Sequence, residues 1–379
     1  MRKNPVLAQL GSYSIGEIQN RVRSMREAGE ELIDFSIGDP REPTPGFIRE
    51  AVRHAVPEIS QYPTARGLPA MRAAVAGYVQ RRFGVEVDPD TQVLPTSGSK
   101  EAVFSTPLAF VDAAAGDVVA WPTPGYPIYE RGARLAGAVG MPIALDGDFV
   151  FTADRIPDWS RMRMVWICTP HNPAGSVTPR DELVRLVDRT RAAAALLCSD
   201  ECYIDLHDGE PPTSVLEVAG PGSSGVLSYF SLSKRSGMTG YRSGAIVGDA
   251  EAIAVLASFR TSTGTASPEF VQAGAIAAWN DDDHVAERRV IFAAKRRILG
   301  AAFDRLGYEV VGSAAGIYLW VRVPDDVAVA ARLLGSGIVV SPGRAFGPGG
   351  EGHIRLALVP ALADCDRAAE AVITCLNES

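Results

Sequence analysis

The chain has 379 residues, more than one ordinary hydrophobic core takes, so two domains, or one large α/β domain with a smaller companion, are expected. With 46% hydrophobic residues it is globular, and its net charge of −8 argues against a nucleic-acid surface or a polybasic membrane patch, which need clustered positive charge. No apolar run approaches the roughly 18 residues of a membrane helix, and Cys168, Cys198, Cys202, Cys365 and Cys375 show no Cys-x-x-Cys or His-paired spacing, so neither a disulfide frame nor a zinc site is expected.

At the N-terminus Arg2 and Lys3 precede Pro5-Val6-Leu7-Ala8, but the run breaks at Gln9 and Gly11 and is too short for a secretory signal, so the chain reads as cytoplasmic. Strand-like apolar runs at 117–121, 162–168, 194–199, 226–230 and 244–247 alternate with helix-like segments. That is the pattern of an α/β fold with a mostly parallel central sheet flanked by helices. From 284 to 306 Ile291, Ile298, Ala302 and Leu306 share a face, predicting a long helix with Gly307 as its C-cap. Beyond it 316–323 and 353–359 read as strands and 363–376 as a closing helix. The expected division is a large domain at 46–283 and a smaller α+β domain made of 1–45 and 284–379.

Chemistry-bearing residues collect on loops after the strands, where α/β sheets bind ligands. Thr96-Ser97-Gly98-Ser99-Lys100-Glu101 opens a helix, so backbone N–H groups and hydroxyls would meet an anion there, with Lys100 giving its backbone; many helices also begin with Ser-Gly for capping alone. Tyr126, in Pro122-Thr123-Pro124-Gly125-Tyr126-Pro127, suits stacking on a flat ring or ordinary loop packing. Asn172, on the loop Thr169-Pro170-His171-Asn172-Pro173, offers an amide to a ring oxygen or simply starts a turn. Asp200 ends the run 194–199, where it faces a cationic ring nitrogen or caps a turn. Ser231-Leu232-Ser233-Lys234 follows a strand, and Ser231, Ser233 and the fork of Arg242 would close an anion cradle from the other side. Arg355, flanked by apolar residues in 353–358, needs a partner if buried: a substrate carboxylate or a structural salt bridge.

Pyridoxal 5'-phosphate (PLP) asks a protein for an amine, an anion for its pyridine nitrogen, a phosphate cradle and a flat contact, and each has a candidate here. The only lysines are Lys3, Lys100, Lys234 and Lys295. Lys3 is terminal, and Lys295 falls in Lys295-Arg296-Arg297, read as a solvated helix face. Lys234 is left as the Schiff-base amine, with Asp200 keeping the ring nitrogen protonated so that the ring draws electrons from the substrate's α-carbon.

The ordered set Gly38, Tyr62, Ser99-Lys100, Tyr126, Asn172, Asp200, Tyr203, Ser231-x-x-Lys234, Arg242 and Arg355 resembles the class I/II aminotransferases of PLP fold type I over essentially the whole chain. The resemblance implies that Lys234 carries the cofactor and shuttles the proton, that Tyr203 and Asn172 bind the ring oxygen, and that Arg355 binds the substrate carboxylate. It further implies that Tyr62 reaches the phosphate of a neighbouring subunit in a homodimer with shared active sites, and that Gly38 lies near the substrate. The segments 62–67, 93–104, 231–244 and 354–365 look closest to N-succinyldiaminopimelate aminotransferase, which implies glutamate as amino donor and a succinylated diamino diacid as the other partner. Gly237 stands where those relatives carry Asn or another residue with a side chain. L,L-diaminopimelate, aspartate, alanine, aromatic and specialised-pathway amino acids therefore stay open as substrates.

Among rivals, Ser231-x-x-Lys234 matches penicillin-binding acyl-enzymes, whose Ser-x-Asn and Lys-Thr-Gly elements the chain lacks. The Gly-x-Gly-x-x-Gly spellings at 220–225 and 347–352 each precede a strand, whereas the dinucleotide fingerprint must follow one. A non-catalytic ligand sensor would carry an added DNA-binding segment, for which the residues before Gly38 leave no room. The same cofactor also supports β-elimination, decarboxylation or oxidation.

Overall fold

The computed structural model describes residues 1, 4–10, 14–145 and 147–377; Arg2, Lys3 and Gly11 lie outside them. In chain order the strands are β1 (Ile33–Asp34), β2 (Val93–Thr96), β3 (Val118–Thr123), β4 (Val139–Ala144), β5 (Met162–Cys168), β6 (Leu196–Asp200), β7 (Val226–Ser231), β8 (Gly244–Gly248), β9 (Val310–Val311), β10 (Tyr318–Arg322), β11 (Ile338–Val339), β12 (Ser341–Pro342) and β13 (His353–Ala357).

Strands β2 to β8 form one seven-stranded sheet in the order β2-β8-β7-β6-β5-β3-β4. Every pairing is parallel except those of β8, which runs against both β2 and β7. The strands read as unbroken apolar runs because both faces are covered. On β5, Met164, Trp166 and Cys168 pack toward the helices Ser99–Phe110, Ile128–Leu135 and Ala250–Thr263. Val165 and Ile167 face the opposite way, toward Arg180–Ala192 and Val215–Ala219. This is the period of two that a pleated strand imposes. Parallel strands bring all their C-terminal ends to one edge, and the reversed β8 brings its start to the same edge.

The smaller antiparallel sheet has the order β12-β13-β10-β9, while β1 pairs in parallel with β11. The helices Asp283–Arg305 and Leu362–Asn377 pack on it through Phe292, Leu299, Phe303, Cys365 and Val372. The long helix stops before Gly307, as its sequence predicts. Its buried stripe, however, is centred on Phe292, Leu299 and Phe303, and the expected Ile291, Ile298 and Leu306 sit at its margin.

The solvated face expected at 295–297 is also corrected. Lys295 is wholly buried, paired with Glu42 and donating to the Leu358 carbonyl at 3.2 Å. Arg296 is buried beside Asp208 and the Gly316 carbonyl, and of the three only Arg297 is exposed. The helix is enclosed on more than one side, by the small sheet and by the segment carrying Glu42, and a single-face pattern cannot register the second neighbour. Among the described residues no helix is long and apolar enough to cross a membrane.

Candidate active site

A cavity of about 460 Å³ opens at the edge where the strand ends converge. Gly38, Ser99, Lys100, Tyr126, Asn172, Asp200, Tyr203, Ser231, Ser233, Lys234, Arg242 and Arg355 all line it. Tyr62 does not: its side chain is fully exposed.

Lys234 sits in the short helix Leu232–Arg235 that directly continues β7, capped by Ser231, whose hydroxyl accepts from the Ser233 N–H at 3.2 Å. Its amine donates to the Gly38 carbonyl. Desolvation lowers the Lys234 pKa to about 8, against the opposing charge of Asp39. An amine so placed is neutral for a useful fraction of the time near physiological pH and can act as a nucleophile.

Asp200 closes β6, between β5 and β7, and points into the same cavity. Its carboxylate accepts from the Tyr129 hydroxyl at 2.8 Å and the Cys202 N–H at 3.3 Å. Burial pushes its pKa up, and hydrogen bonds from the Cys202 thiol, the Tyr129 hydroxyl and the Cys202 N–H pull it back. Among the described residues no lysine or arginine is paired with it.

On one side of the cavity the helix Ser99–Phe110 presents its N-terminus, with Gly98 as N-cap at φ +86°. Any side chain at Gly98 would collide with the Arg242 guanidinium, which lies across that terminus and is steadied by the Thr239 carbonyl at 2.9 Å. The sheet register brings the parts together, since Thr96 pairs with Gly244 and Gly244 with Ser231. The Lys100 amine, half enclosed, has its pKa lowered by burial and by Arg242 and Arg131. Backbone N–H groups, two serine hydroxyls and clustered cations make this end an anion cradle. Glu101 does not enter it: its carboxylate accepts from the Ser97 N–H and pairs with buried Arg260 at 2.7 Å.

On the other side Arg355 is buried in the middle of β13. Its guanidinium lies 4.4 Å from the ring centres of both Tyr318 and Phe346, donating to Asn172 Oδ1 at 3.0 Å and to the Ser36 carbonyl at 2.6 Å. Among the described residues its Nε has no partner and no carboxylate pairs with this arginine. A desolvated cation held only by neutral groups is a site for an incoming anion. Tyr203 and Tyr318 join hydroxyls at 2.9 Å beside it, and Gly38 is glycine because a Cβ there would collide with the Tyr318 hydroxyl.

Tyr318, Phe346, Asp39 and Tyr129 belong to the site although sequence reasoning passed over them. Tyr318 and Phe346 look like ordinary core aromatics. Tyr129 carries one usable signal, its spacing of one helical turn from Tyr126.

The chain matches the family model "Aminotransferase class I and II" over residues 30–372. It is 35% identical over 370 residues to the LL-diaminopimelate aminotransferase of Dehalococcoides mccartyi strain 195, covering 94% of this chain and 95% of that one. It is 37% identical over 329 residues to the 4-dedimethylamino-4-oxo-anhydrotetracycline transaminase OxyQ of Streptomyces rimosus, covering 86% and 89%. Among solved structures, a "probable N-succinyldiaminopimelate aminotransferase" from Thermus thermophilus superposes with a TM-score of 0.89 at 27% identity, covering 96% and 100%. The shared sheet architecture and near full-length matches show that the chain belongs to the class I and II aminotransferases, with PLP fold type I, and is a transferase.

Proposed function

We propose that this aminotransferase uses PLP attached through Lys234, and moves an amino group between glutamate and the 2-oxo form of a diaminopimelate-type diacid in lysine biosynthesis. The observation that carries the reading is the convergence, in one cavity, of the recessed Lys234 amine, the buried Asp200 carboxylate and the desolvated Arg355. These residues fit the cofactor: among the described residues Asp200 has no cationic partner for its carboxylate, and the Gly98 turn with Arg242 leaves donors aimed at a phosphate. When bound, PLP supplies an electron sink at the substrate's α-carbon.

The rest is work for the chain's own residues. Arg355 grips the α-carboxylate with its fork while Tyr318 and Phe346 keep water from it. Lys234 Nζ, close to the Gly38 carbonyl, would take the proton from the substrate's α-carbon and pass it to C4' of the cofactor. Of the residues lining the cavity, Asn172 and Tyr203 would meet the ring oxygen, Tyr126 would lie against the ring, and Ser99, the Lys100 N–H, Ser231, Ser233 and Arg242 would hold the phosphate. Asp200 would keep the ring nitrogen protonated.

The diacid substrate is inferred from the names of the relatives in Dehalococcoides and Thermus. The exposed Tyr62 fits a homodimer in which it completes a second subunit's phosphate site, and the acidic composition fits a cytoplasmic enzyme. The segment 46–283 is the large domain, and 1–45 with 284–379 the small one.

Borohydride reduction after PLP loading, followed by peptide mapping, should place a pyridoxyl group on Lys234. In a separate, unreduced PLP-loaded sample, L-glutamate should convert the cofactor to its amine form with release of 2-oxoglutarate, which elimination, decarboxylation or oxidation would not do. L,L-diaminopimelate and its N-succinyl derivative, tested beside aspartate, alanine and aromatic amino acids, should be the better partners. Protein that stays colourless in saturating PLP would overturn the reading.

A further inference from the structure

We propose that Tyr129 is a positioning residue: its hydroxyl holds Asp200 in the anionic form and ties that carboxylate to Tyr126, so that ring-nitrogen charge and ring-face contact are set by one side chain.

Asp200 is an acid in a place that favours its neutral form. It is buried, no cation pairs with it among the described residues, and its neighbours include the Cys168 and Cys202 thiols and the Tyr203 phenol, none of which brings positive charge. Its anionic form therefore depends on neutral donors. Among the described residues three donors serve it: the Cys202 thiol, the Cys202 N–H at a long 3.3 Å, and the Tyr129 hydroxyl at 2.8 Å. A thiol is an intrinsically weak donor and the N–H is distant, so the hydroxyl is the strongest of the three. Tyr129 itself stays protonated, because burial beside Asp200 drives its pKa well above the phenol range, so the hydroxyl is a permanent donor.

The ring of Tyr129 is fixed as firmly as its hydroxyl. It stacks on Trp166 at 5.2 Å between centres and 18°, and Tyr126 meets its edge at 5.7 Å and 83°. Both tyrosines ride the turn that enters the helix Ile128–Leu135, one helical turn apart. A shift of Tyr129 therefore moves the Asp200 hydrogen bond and the Tyr126 contact together. Losing the hydroxyl lets the proton shared between Asp200 and a ring nitrogen settle on Asp200, which weakens the ring as an acceptor of electrons.

The inference rests on the cavity being a PLP site, so the first arm is wild-type protein loaded with PLP labelled with 15N in its ring; if that protein binds no PLP, the functional reading falls and this one with it. In the loaded wild type the 15N shift should be that of a protonated ring. In loaded Tyr129→Phe, which removes one oxygen and keeps the stack, it should move toward the neutral ring. The kcat should fall about tenfold, as for a lost hydrogen bond to a charged group, with KM for the amino donor little changed. Trp166→Phe trims the stack but leaves the hydroxyl, and should lower the melting temperature without moving the 15N shift. An unmoved 15N shift in Tyr129→Phe, or an equal movement in Trp166→Phe, overturns the proposal.

Discussion

Lys234 and Lys295 are both withdrawn from water, and they differ in what meets the amine. On the long helix, Lys295 Nζ is closed off by the Glu42 carboxylate and the Leu358 carbonyl. At the strand-end edge of the large sheet, Lys234 Nζ has a backbone carbonyl on one side and a cavity of about 460 Å³ on the other. Burial without an ion pair at contact distance holds its pKa at about 8. The difference teaches that burial alone does not make a lysine chemical. A buried lysine whose charge is matched fastens two segments together; one whose charge is left unmatched beside open space becomes reactive.

The comparison breaks most visibly if the two lysines are exchanged in importance. Lys234→Ala should take transamination to background and remove the borohydride-trapped PLP adduct, while the apo-protein keeps its melting temperature or gains a little. Full turnover in that variant, or an adduct mapped to Lys100 or Lys295, would show that the wrong amine had been chosen. Next in size is Arg355→Ala, which deprives the substrate carboxylate of a buried, charged partner. A loss of about 100- to 1000-fold in kcat/KM is expected, with PLP affinity unchanged. Arg355→Lys keeps the charge but not the fork between Tyr318 and Phe346 and should fall in between.

The same two lysines mark what could be read without a structure. The environment of Lys234 is local in sequence: an apolar strand, a Ser-x-x-Lys turn, and partners on other strand-end loops that parallel topology must bring to one edge. Hence Asp200, Asn172, Tyr126 and Arg242 were legible together, each weak alone. The environment of Lys295 is not local, since Glu42 lies 253 residues away and the partner face is set by how the N-terminal segment crosses the helix. Tyr318 and Phe346 escaped for a related reason. An aromatic ring on Arg355 is a fact about two strands and a loop packing, and no motif records it.

Lys295 supplies the third and purely structural test. Lys295→Met strips the largely enclosed Glu42 carboxylate of its contact cation and leaves it only the more distant Arg288, and a loss of about 3 kcal/mol in urea unfolding is expected. Adding Glu42→Gln removes the stranded charge and should restore part of that loss. Protein that remains folded should still form the Lys234 adduct. If Lys295→Met lost the adduct while keeping its urea midpoint, the division between a fastening and a reacting lysine would be wrong.

The smallest effect tests the same contrast through pH. The Lys234 pKa is lowered in the folded protein to about 8 from the ordinary 10.5, so between those values the unfolded chain binds more protons than the folded one. Stability of the apo-protein from this group therefore rises with pH across that window, and its cost is fully present below pH 8. Only the neutral amine attacks an aldehyde, so the rate at which apo-protein takes up PLP should climb about tenfold from pH 7 to pH 9 and then level off, with a midpoint near 8. Asp39 works against the shift by favouring the ammonium form. Asp39→Asn should move the midpoint below 8 and quicken PLP uptake at pH 7. A midpoint that stays near the ordinary lysine value in wild type, or that rises in Asp39→Asn, would mean that the open side of the cavity does not control this amine.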